Sequence, residues 1–253
     1  MKKIGNGGRR LPRRLGQLYL GLVLYGVSMA LMIESHLGLN PWDVFHQGLA
    51  GRTGVSFGTA TVIAGAAVLL LWIPLRQRPG LGTVSNVVVI GIAVDAALAV
   101  LPSPTGLPVR ISWLVAGVVL NGLATGLYIG ARFGPGPRDG LMTGWVARHP
   151  GSSVRLVRTM IEVAVLGTGW LLGGTVGLGT VLYAVCIGPL VQFFLPLCTV
   201  ESPRADQPQL PTQPPRADRP QRSVERPVAD PESVEPAQVP GQAAAELGPR
   251  RRR

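Results

Sequence analysis

Two short segments of the chain carry the residues typical of a helix amino terminus, either as an ordinary cap or as an end that faces a polar solute or an ion. Residues 40–43 read Asn-Pro-Trp-Asp, and residues 136–139 read Gly-Pro-Arg-Asp. In each segment a cap residue precedes a proline at the first helical position and an acid at the third, where backbone N–H groups lack partners. About ten residues follow each start, too few to cross a bilayer. We therefore expect short helices that either re-enter the membrane or lie in its interface.

Asp95 is the acid that would be most costly to expose to lipid, because its apolar run, 87–101, contains no basic residue. It lies four residues after Gly91, on a face of small residues that packs against neighbouring helices. Gln192 follows 97 positions later, four residues after another glycine. Two interpretations are open. Asp95 is either protonated and hydrogen-bonded between helices, or a proton or cation site near the axis that relates two copies of a repeat.

The predicted solute or ion path consists of Asn40, Pro41, Asp43, Asp95, Pro137, Arg138, Asp139 and Gln192. The sequence lacks the motifs that would indicate metal binding, catalysis, cofactor binding or nucleic-acid binding. The histidines lack ligand spacing, so no metal site is expected. A nucleophile elbow, a phosphate loop, a Cys-x-x-Cys motif and a carboxylate pair are all absent, so we expect neither an enzyme nor a bound cofactor. Basic residues do not alternate with aromatic ones, so no nucleic-acid partner is expected.

Six apolar runs must position these residues, and each is long enough to cross roughly 30 Å of hydrocarbon as a helix. The composition agrees, with 47% hydrophobic residues, 15% charged residues and a mean hydropathy of +0.32. The sequence therefore predicts an all-α polytopic membrane protein in a lipid bilayer. The runs cover residues 15–33, 55–73, 81–101, 111–130, 156–173 and 177–197.

Lysine and arginine concentrate in alternate connections between these runs. The amino terminus and the second-to-third and fourth-to-fifth connections are basic, whereas the other connections hold only Arg52 and Arg110. The positive-inside rule then predicts six crossings of the membrane, with both termini in the cytoplasm.

Two motifs recur along the chain at nearly the same offset, which indicates an internal duplication. The helix-start motif at 40–43 returns 96 positions later at 136–139, and Gly-Leu-Gly-Thr-Val at 80–84 returns 97 positions later at 177–181. Each copy holds three crossings, an odd number, so the second copy must enter the membrane inverted relative to the first. The predicted organisation is a basic cytoplasmic amino terminus at 1–14, repeat 1 at 15–101, an external connection at 102–110, repeat 2 at 111–198, and a disordered Pro- and Arg-rich cytoplasmic tail at 199–253.

Glycines recur every four residues in and beside the membrane runs, a spacing that favours close helix packing. Packing within the monomer is the expected role. Dimerisation is the alternative, and it leaves a homo-oligomer or another membrane partner open. The glycines assigned to packing are Gly91 on the third run, Gly122, Gly126 and Gly130 on the fourth, and Gly169, Gly173 and Gly177 on the fifth.

Three segments resemble the YczE/YitT-like family of bacterial integral membrane proteins. They are Leu-Gly-Leu-Asn-Pro-Trp-Asp-Val near position 40, Gly-Pro-Gly-Pro-Arg-Asp-Gly-Leu-Met near 137 and Gly-Gly-Thr-Val-Gly-Leu-Gly-Thr-Val near 177, and the match covers about 15–197. The resemblance implies a bacterial cytoplasmic-membrane protein, and some relatives are associated with secondary-metabolite production. The resemblance identifies no substrate and no catalytic residue.

Inverted repeats, helix-breaking motifs at matching positions and a buried acid recur in carriers. They predict a transporter or permeation protein for a small solute. The alternative is a non-transporting accessory that scaffolds or regulates a membrane or biosynthetic complex. Such an accessory needs no continuous polar path.

Overall fold

Eight helices build the part of the chain that the structure describes. The structure is a computed structural model, and it describes residues 7–149 and 151–199. These ranges contain no strand, which confirms the all-α prediction. Residues 1–6 of the predicted amino-terminal segment and the predicted tail from 200 onward lie outside the described residues. The helices are α1 Gly7–Ser35, α2 Pro41–Thr53, α3 Phe57–Leu75, α4 Leu81–Val100, α5 Leu107–Gly130, α6 Pro137–Arg148, α7 Val154–Leu171 and α8 Leu178–Cys198.

Five of these helices are long and apolar enough to cross a membrane, namely α1 from Leu11, α3, α4, α5 and α8. The fifth predicted span, 156–173, corresponds to α7, which is not among them. α7 has 18 residues and carries Arg155, Arg158 and Glu162. These charges make a full crossing more costly for α7 than for the other five. The structure thus has five candidate spans where the sequence predicted six, and the orientation of the termini stays a prediction.

α1 and α5 form the centre of the bundle. They pack against each other, α1 also packs against α4, and α5 also packs against α8. Asn121 on α5 is fully buried between them. Its amide donates a hydrogen bond to Ser28 Oγ at 2.8 Å and accepts one from the Tyr183 hydroxyl at 3.0 Å. A buried polar side chain with both ends satisfied fixes how α1, α5 and α8 pack together.

The glycines of α5 lie along its contact with α8. A Cβ added at Gly130 would lie 2.6 Å from the carbonyl oxygen of Cys198, so no larger residue fits without moving a backbone. The four-residue spacing therefore brings two helices of the same chain close together. Gly122, Gly126 and Gly130 lie against Leu190, Phe194 and Cys198, respectively.

The other predicted glycine stripe does not lie on one helix. Gly169 is in α7 and packs closely on the backbone of α2 at Val44 and Phe45. However, α7 ends at Leu171, because Gly173 adopts a φ of 100° and breaks the helix. Gly177 is the cap residue of α8. The sequence prediction that Gly173 and Gly177 continue the stripe was therefore wrong.

The connections that precede α2 and α6 bind the starts of α8 and α4. The Gly179 N–H donates to the Leu37 carbonyl at 2.8 Å, and the Gly82 N–H donates to the Phe133 carbonyl at 2.9 Å. These donors are 97 positions apart and the acceptors 96, so the two bonds join equivalent positions of the two copies. Similarly, α2 packs on α7 and α6 packs on α3. Each copy thus holds the other by matching contacts, and the inverted orientation in the membrane stays a prediction.

Candidate functional site

α2 begins with a complete amino-terminal cap. Asn40 Oδ1 accepts hydrogen bonds from the N–H groups of Trp42 and Asp43, at 3.1 and 3.0 Å. Its Nδ2 donates to Oδ2 of Asp43, and Pro41 fills the first helical position. The local sequence therefore forms this helix start as expected, and Asn40 also holds the acid in place.

α6 begins in the same way but with no side chain as its cap. Pro137 follows Gly136, which has no side chain that could accept from the first turn. The Pro137 carbonyl accepts from the indole N–H of Trp72 at 3.0 Å, and Asp139 Oδ2 accepts from the Tyr128 hydroxyl at 3.2 Å. The positive amino end of α6 is thus less satisfied than that of α2.

The starts of α2 and α6 meet at a cavity of about 290 Å³. The cavity lies among α1, α4, α5, α7 and α8, and its charged side chains come from α6 and α7 alone. A cavity of this size fits a small solute. The charged residues that line it are Arg138, Asp139, Arg158 and Glu162.

Six of the eight residues of the predicted path line this cavity, although they come from three helices and one connection. Asp43 lies directly behind the cavity wall, and Asp95 lies elsewhere. The sequence did not predict the contributions of α1 and α7, since neither helix carries a repeated polar motif. The six that line the cavity are Asn40, Pro41, Pro137, Arg138, Asp139 and Gln192.

Asp43 is fully buried and only partly satisfied. Among the described residues, its Oδ1 accepts no hydrogen bond. The nearest charged or ionisable nitrogens are Nδ1 of His46 at 3.5 Å and the Arg138 guanidinium at 4.0 Å. Arg138 instead lies over the ring of Trp42, with 4.9 Å between the guanidinium carbon and the ring centre. The acid and the arginine are therefore close enough to attract but too far apart to bond.

Burial shifts the titration of two groups at this site. It raises the pKa of Asp139 above the ordinary range of an aspartate, although the charge of Arg138 and the Tyr128 hydrogen bond act in the opposite direction. Burial also lowers the pKa of His46, against the charge of the nearby Asp43. The lowered pKa favours the neutral imidazole, so Arg138 is the permanent positive charge nearest to Asp43.

Asp95 lies where α4 meets the amino end of α3. Its carboxylate accepts from the Ser56 hydroxyl at 2.6 Å and from the Gly58 N–H at 2.7 Å. Ser56 is the cap residue of α3, so Asp95 serves as a second cap supplied by another helix. Beside this bond α3 and α4 are in close backbone contact. A Cβ added at Gly91 would lie 2.8 Å from the Gly58 carbonyl oxygen.

Asp95→Leu should lower the free energy of unfolding by about 1 to 2 kcal/mol, because the Gly58 N–H and the Ser56 hydroxyl lose their acceptor. Asp95→Asn should cost less, since its amide oxygen still accepts from Gly58. Thermal unfolding of the two variants in detergent measures the difference. Equal stability of Asp95→Leu and the wild type would contradict the capping role.

In the second copy, the helix pair that corresponds to α3 and α4 is α7 and α8, and it lacks the close contact seen between α3 and α4. α3 packs along α4, but α7 is not packed along α8. Gly188, the counterpart of Gly91, lines the cavity, and a Cβ added there would meet no atom within 4 Å. Gln192, the counterpart of Asp95, also lines the cavity. The cavity therefore extends between α7 and α8, at the place where the first copy is closed.

Comparison with known proteins agrees with a membrane protein. An uncharacterized protein of Haemophilus influenzae is 42% identical over 178 residues, which cover 70% of this chain and 81% of that protein. The uncharacterized membrane protein YczE of Bacillus subtilis is 34% identical over 180 residues, which cover 70% of this chain and 83% of YczE. The uncharacterized protein YyaS of Bacillus subtilis is 28% identical over 182 residues, with coverages of 70% and 90%. No solved structure matches this chain.

The match to YczE, together with five helices suited to crossing a bilayer, makes this chain an integral membrane protein. It also confirms the resemblance to YczE-like proteins that the sequence motifs indicated. A family model described as "Family of unknown function (DUF6198)" matches residues 12–196, and the chain therefore belongs to that family.

Proposed function

We propose that the protein transports a small solute by opening one cavity alternately to the two sides of the membrane. The observation that carries this proposal is the unequal packing of two equivalent helix pairs around a polar cavity. In transporters built from inverted repeats, the two copies adopt different conformations, and exchanging those conformations changes the side from which the site is reached.

In the first copy, the α3–α4 pair is closed. Gly58 and Gly91 are in close contact, and Asp95 binds the amino end of α3. With both termini in the cytoplasm, as the basic residues predict, this contact lies towards the external side. The first copy would thus separate the cavity from the outside.

In the second copy, the α7–α8 pair is open. Gly188 and Gln192 line the cavity near the carboxyl end of α8, which the same topology places towards the cytoplasm. Arg155 stands at the position of Gly58 and is exposed, so its side chain must stay turned away when α7 closes on α8. If α3 separated from α4 while α7 closed on α8, the cavity would open to the outside and close to the cytoplasm.

Gly188→Cys tests this proposal without knowledge of the solute, in a chain whose two cysteines, Cys186 and Cys198, are replaced by serine. A membrane-impermeant thiol reagent should label this cysteine readily in inside-out vesicles and at least tenfold more slowly in right-side-out spheroplasts. Adding Asp95→Leu, which weakens the α3–α4 contact, should raise external labelling several-fold. Thr105→Cys, in the predicted external connection, is the control for sidedness.

The outcomes separate the candidate functions. Rapid labelling from both sides without Asp95→Leu would indicate a continuously open pore rather than alternating access. External labelling that stays absent after Asp95→Leu would contradict transport. It would favour the accessory role, which needs no access from both sides.

A further inference from the structure

Arg138 has hydrogen-bond donors that are turned towards the cavity and are not in use. Its guanidinium makes no hydrogen bond to any residue in the described part of the chain, and its nearest carboxylate oxygen, Oδ1 of Asp43, is 4.0 Å away. The side chain is 27% exposed, although the residue lies within the helix bundle. Five N–H donors in a fixed planar arrangement suit a carboxylate, which can accept two parallel hydrogen bonds.

The other charges around the cavity do not compete for this role. Arg158 donates to Glu162 at 2.9 Å, so that pair is already neutral. Asp139 accepts from the Tyr128 hydroxyl. Arg138 is therefore the cavity arginine that no carboxylate of the described residues binds, whereas Arg158 is already bound to one through its Nε.

Asp43 sets the strength of binding at Arg138. It is fully buried and lacks a partner at Oδ1, so it holds the guanidinium nearby by charge without occupying its donors. A solute carboxylate would accept the hydrogen bonds of Arg138 that Asp43 does not accept. When the solute leaves, the charge of Asp43 would again be the nearest negative charge to the guanidinium. Such an exchange favours reversible binding, which a transporter needs.

The remaining ionisable groups limit the charge of the solute. Asp43 and Asp139 are the acids nearest to Arg138, and a dianion would be repelled by both. The tyrosines that face the cavity from the three packed helices α1, α5 and α8 offer aromatic surface and hydroxyl groups but no positive charge. These groups are Tyr25, Tyr128 and Tyr183.

We propose that the cavity binds a small organic monocarboxylate, with its carboxylate on the guanidinium of Arg138 and its apolar body against the aromatic and aliphatic side chains of the wall. This assignment names the solute class of the proposed transporter and rests on that function for its physiological role. The cavity of about 290 Å³ accommodates a solute of the size of benzoate.

Calorimetric titration of the purified full-length protein tests the assignment with matched probes. Benzoate and hexanoate should bind saturably, whereas benzamide and hexanamide, which have the same bodies without the charge, should bind at least tenfold more weakly. The dianion succinate should also bind at least tenfold more weakly. Phenylalanine is included because its ammonium group would face Asp139. Binding of phenylalanine alone would overturn the assignment in favour of a zwitterion.

Arg138→Gln should weaken benzoate binding at least tenfold, and Arg138→Lys should weaken it less, because lysine keeps the charge but loses the planar pair of donors. Arg148→Gln is the matched control, since Arg148 lies in the last turn of the same helix, is exposed and does not line the cavity. Equal binding of acids and amides to the wild type would overturn the proposal, even if Arg138→Gln failed to fold.

Failure of this proposal and failure of the transport proposal would look different. Carboxylate binding that depends on Arg138, without any external labelling of Gly188→Cys in the presence of Asp95→Leu, would support the site and contradict transport. Alternating labelling with equal affinity for benzoate and benzamide would support transport and contradict the site.

Discussion

Gly91→Ala should lower the free energy of unfolding by about 1 to 3 kcal/mol, while Gly188→Ala, the equivalent change in the second copy, should leave stability unchanged or slightly raise it. At Gly91 the new Cβ would lie 2.6 Å from Val62 Cγ2 and 2.8 Å from the Gly58 carbonyl oxygen. The Val62 side chain can rotate, but the backbone oxygen can move only if α3 and α4 separate. At Gly188 no atom lies within 4 Å of the added carbon.

Thermal and denaturant unfolding of the two variants in the same detergent measures this contrast directly. Both changes place the same methyl group in a helix at equivalent positions, so differences in helix propensity largely cancel. The labelling of Gly188→Cys provides a second measurement, because Gly91→Ala should raise external labelling if it forces α3 away from α4. A similar stability loss for Gly91→Ala and Gly188→Ala would show that α7 also packs on α8 in solution.

The sequence predicted the helix starts because they depend on local chemistry. The cap and proline of residues 40–41 and 136–137 define where α2 and α6 begin. The repeated glycine motifs of 80–84 and 177–181 mark the starts of α4 and α8, where backbone contacts exclude larger side chains. These signals reside in a few neighbouring residues, so a single sequence is enough to read them.

The unequal packing of the two copies could not be predicted in this way. Gly91 and Gly188 occupy the same position of the repeat, yet one is in close contact and the other faces a cavity. Which copy is closed depends on how all eight helices pack together, and the repeat itself gives the same pattern for both. The end of the fifth run was predicted two residues too late, because the left-handed Gly173 ends α7 at Leu171 within an otherwise apolar segment.

Asp95 shows what an acid in an apolar run of a single sequence leaves open. Its position in an apolar run indicated a polar partner but not which one, and the expected site near the axis was one of two interpretations. The structure supplies that partner at the amino end of α3, 39 residues earlier in the chain. The acids that line the cavity are instead Asp139 and Glu162, and the buried Asp43 lies behind its wall.

Asn40→Gly should lower the free energy of unfolding by about 1 to 3 kcal/mol, mainly because Asp43 loses a donor and not because α2 loses its cap. Glycine is itself an acceptable cap residue, costing only a few tenths of a kcal/mol relative to asparagine, and the second copy has Gly136 at this position. The Asn40 amide, however, donates to Oδ2 of Asp43, whose other oxygen already lacks a hydrogen bond. Without Asn40 a fully buried carboxylate would retain only the nearby charge of Arg138.

A double-mutant cycle separates the two contributions. In an Asp43→Asn background the buried charge is absent, so Asn40→Gly should cost only the few tenths of a kcal/mol expected for the cap. Chemical denaturation of the four proteins at pH 7 in one detergent gives the coupling energy between positions 40 and 43. A loss of the same size in both backgrounds would mean that the cap, and not the acid, makes Asn40 necessary. The expected coupling instead implies that Asn40 holds the Asp43 carboxylate behind the cavity, where it attracts Arg138 without occupying its donors.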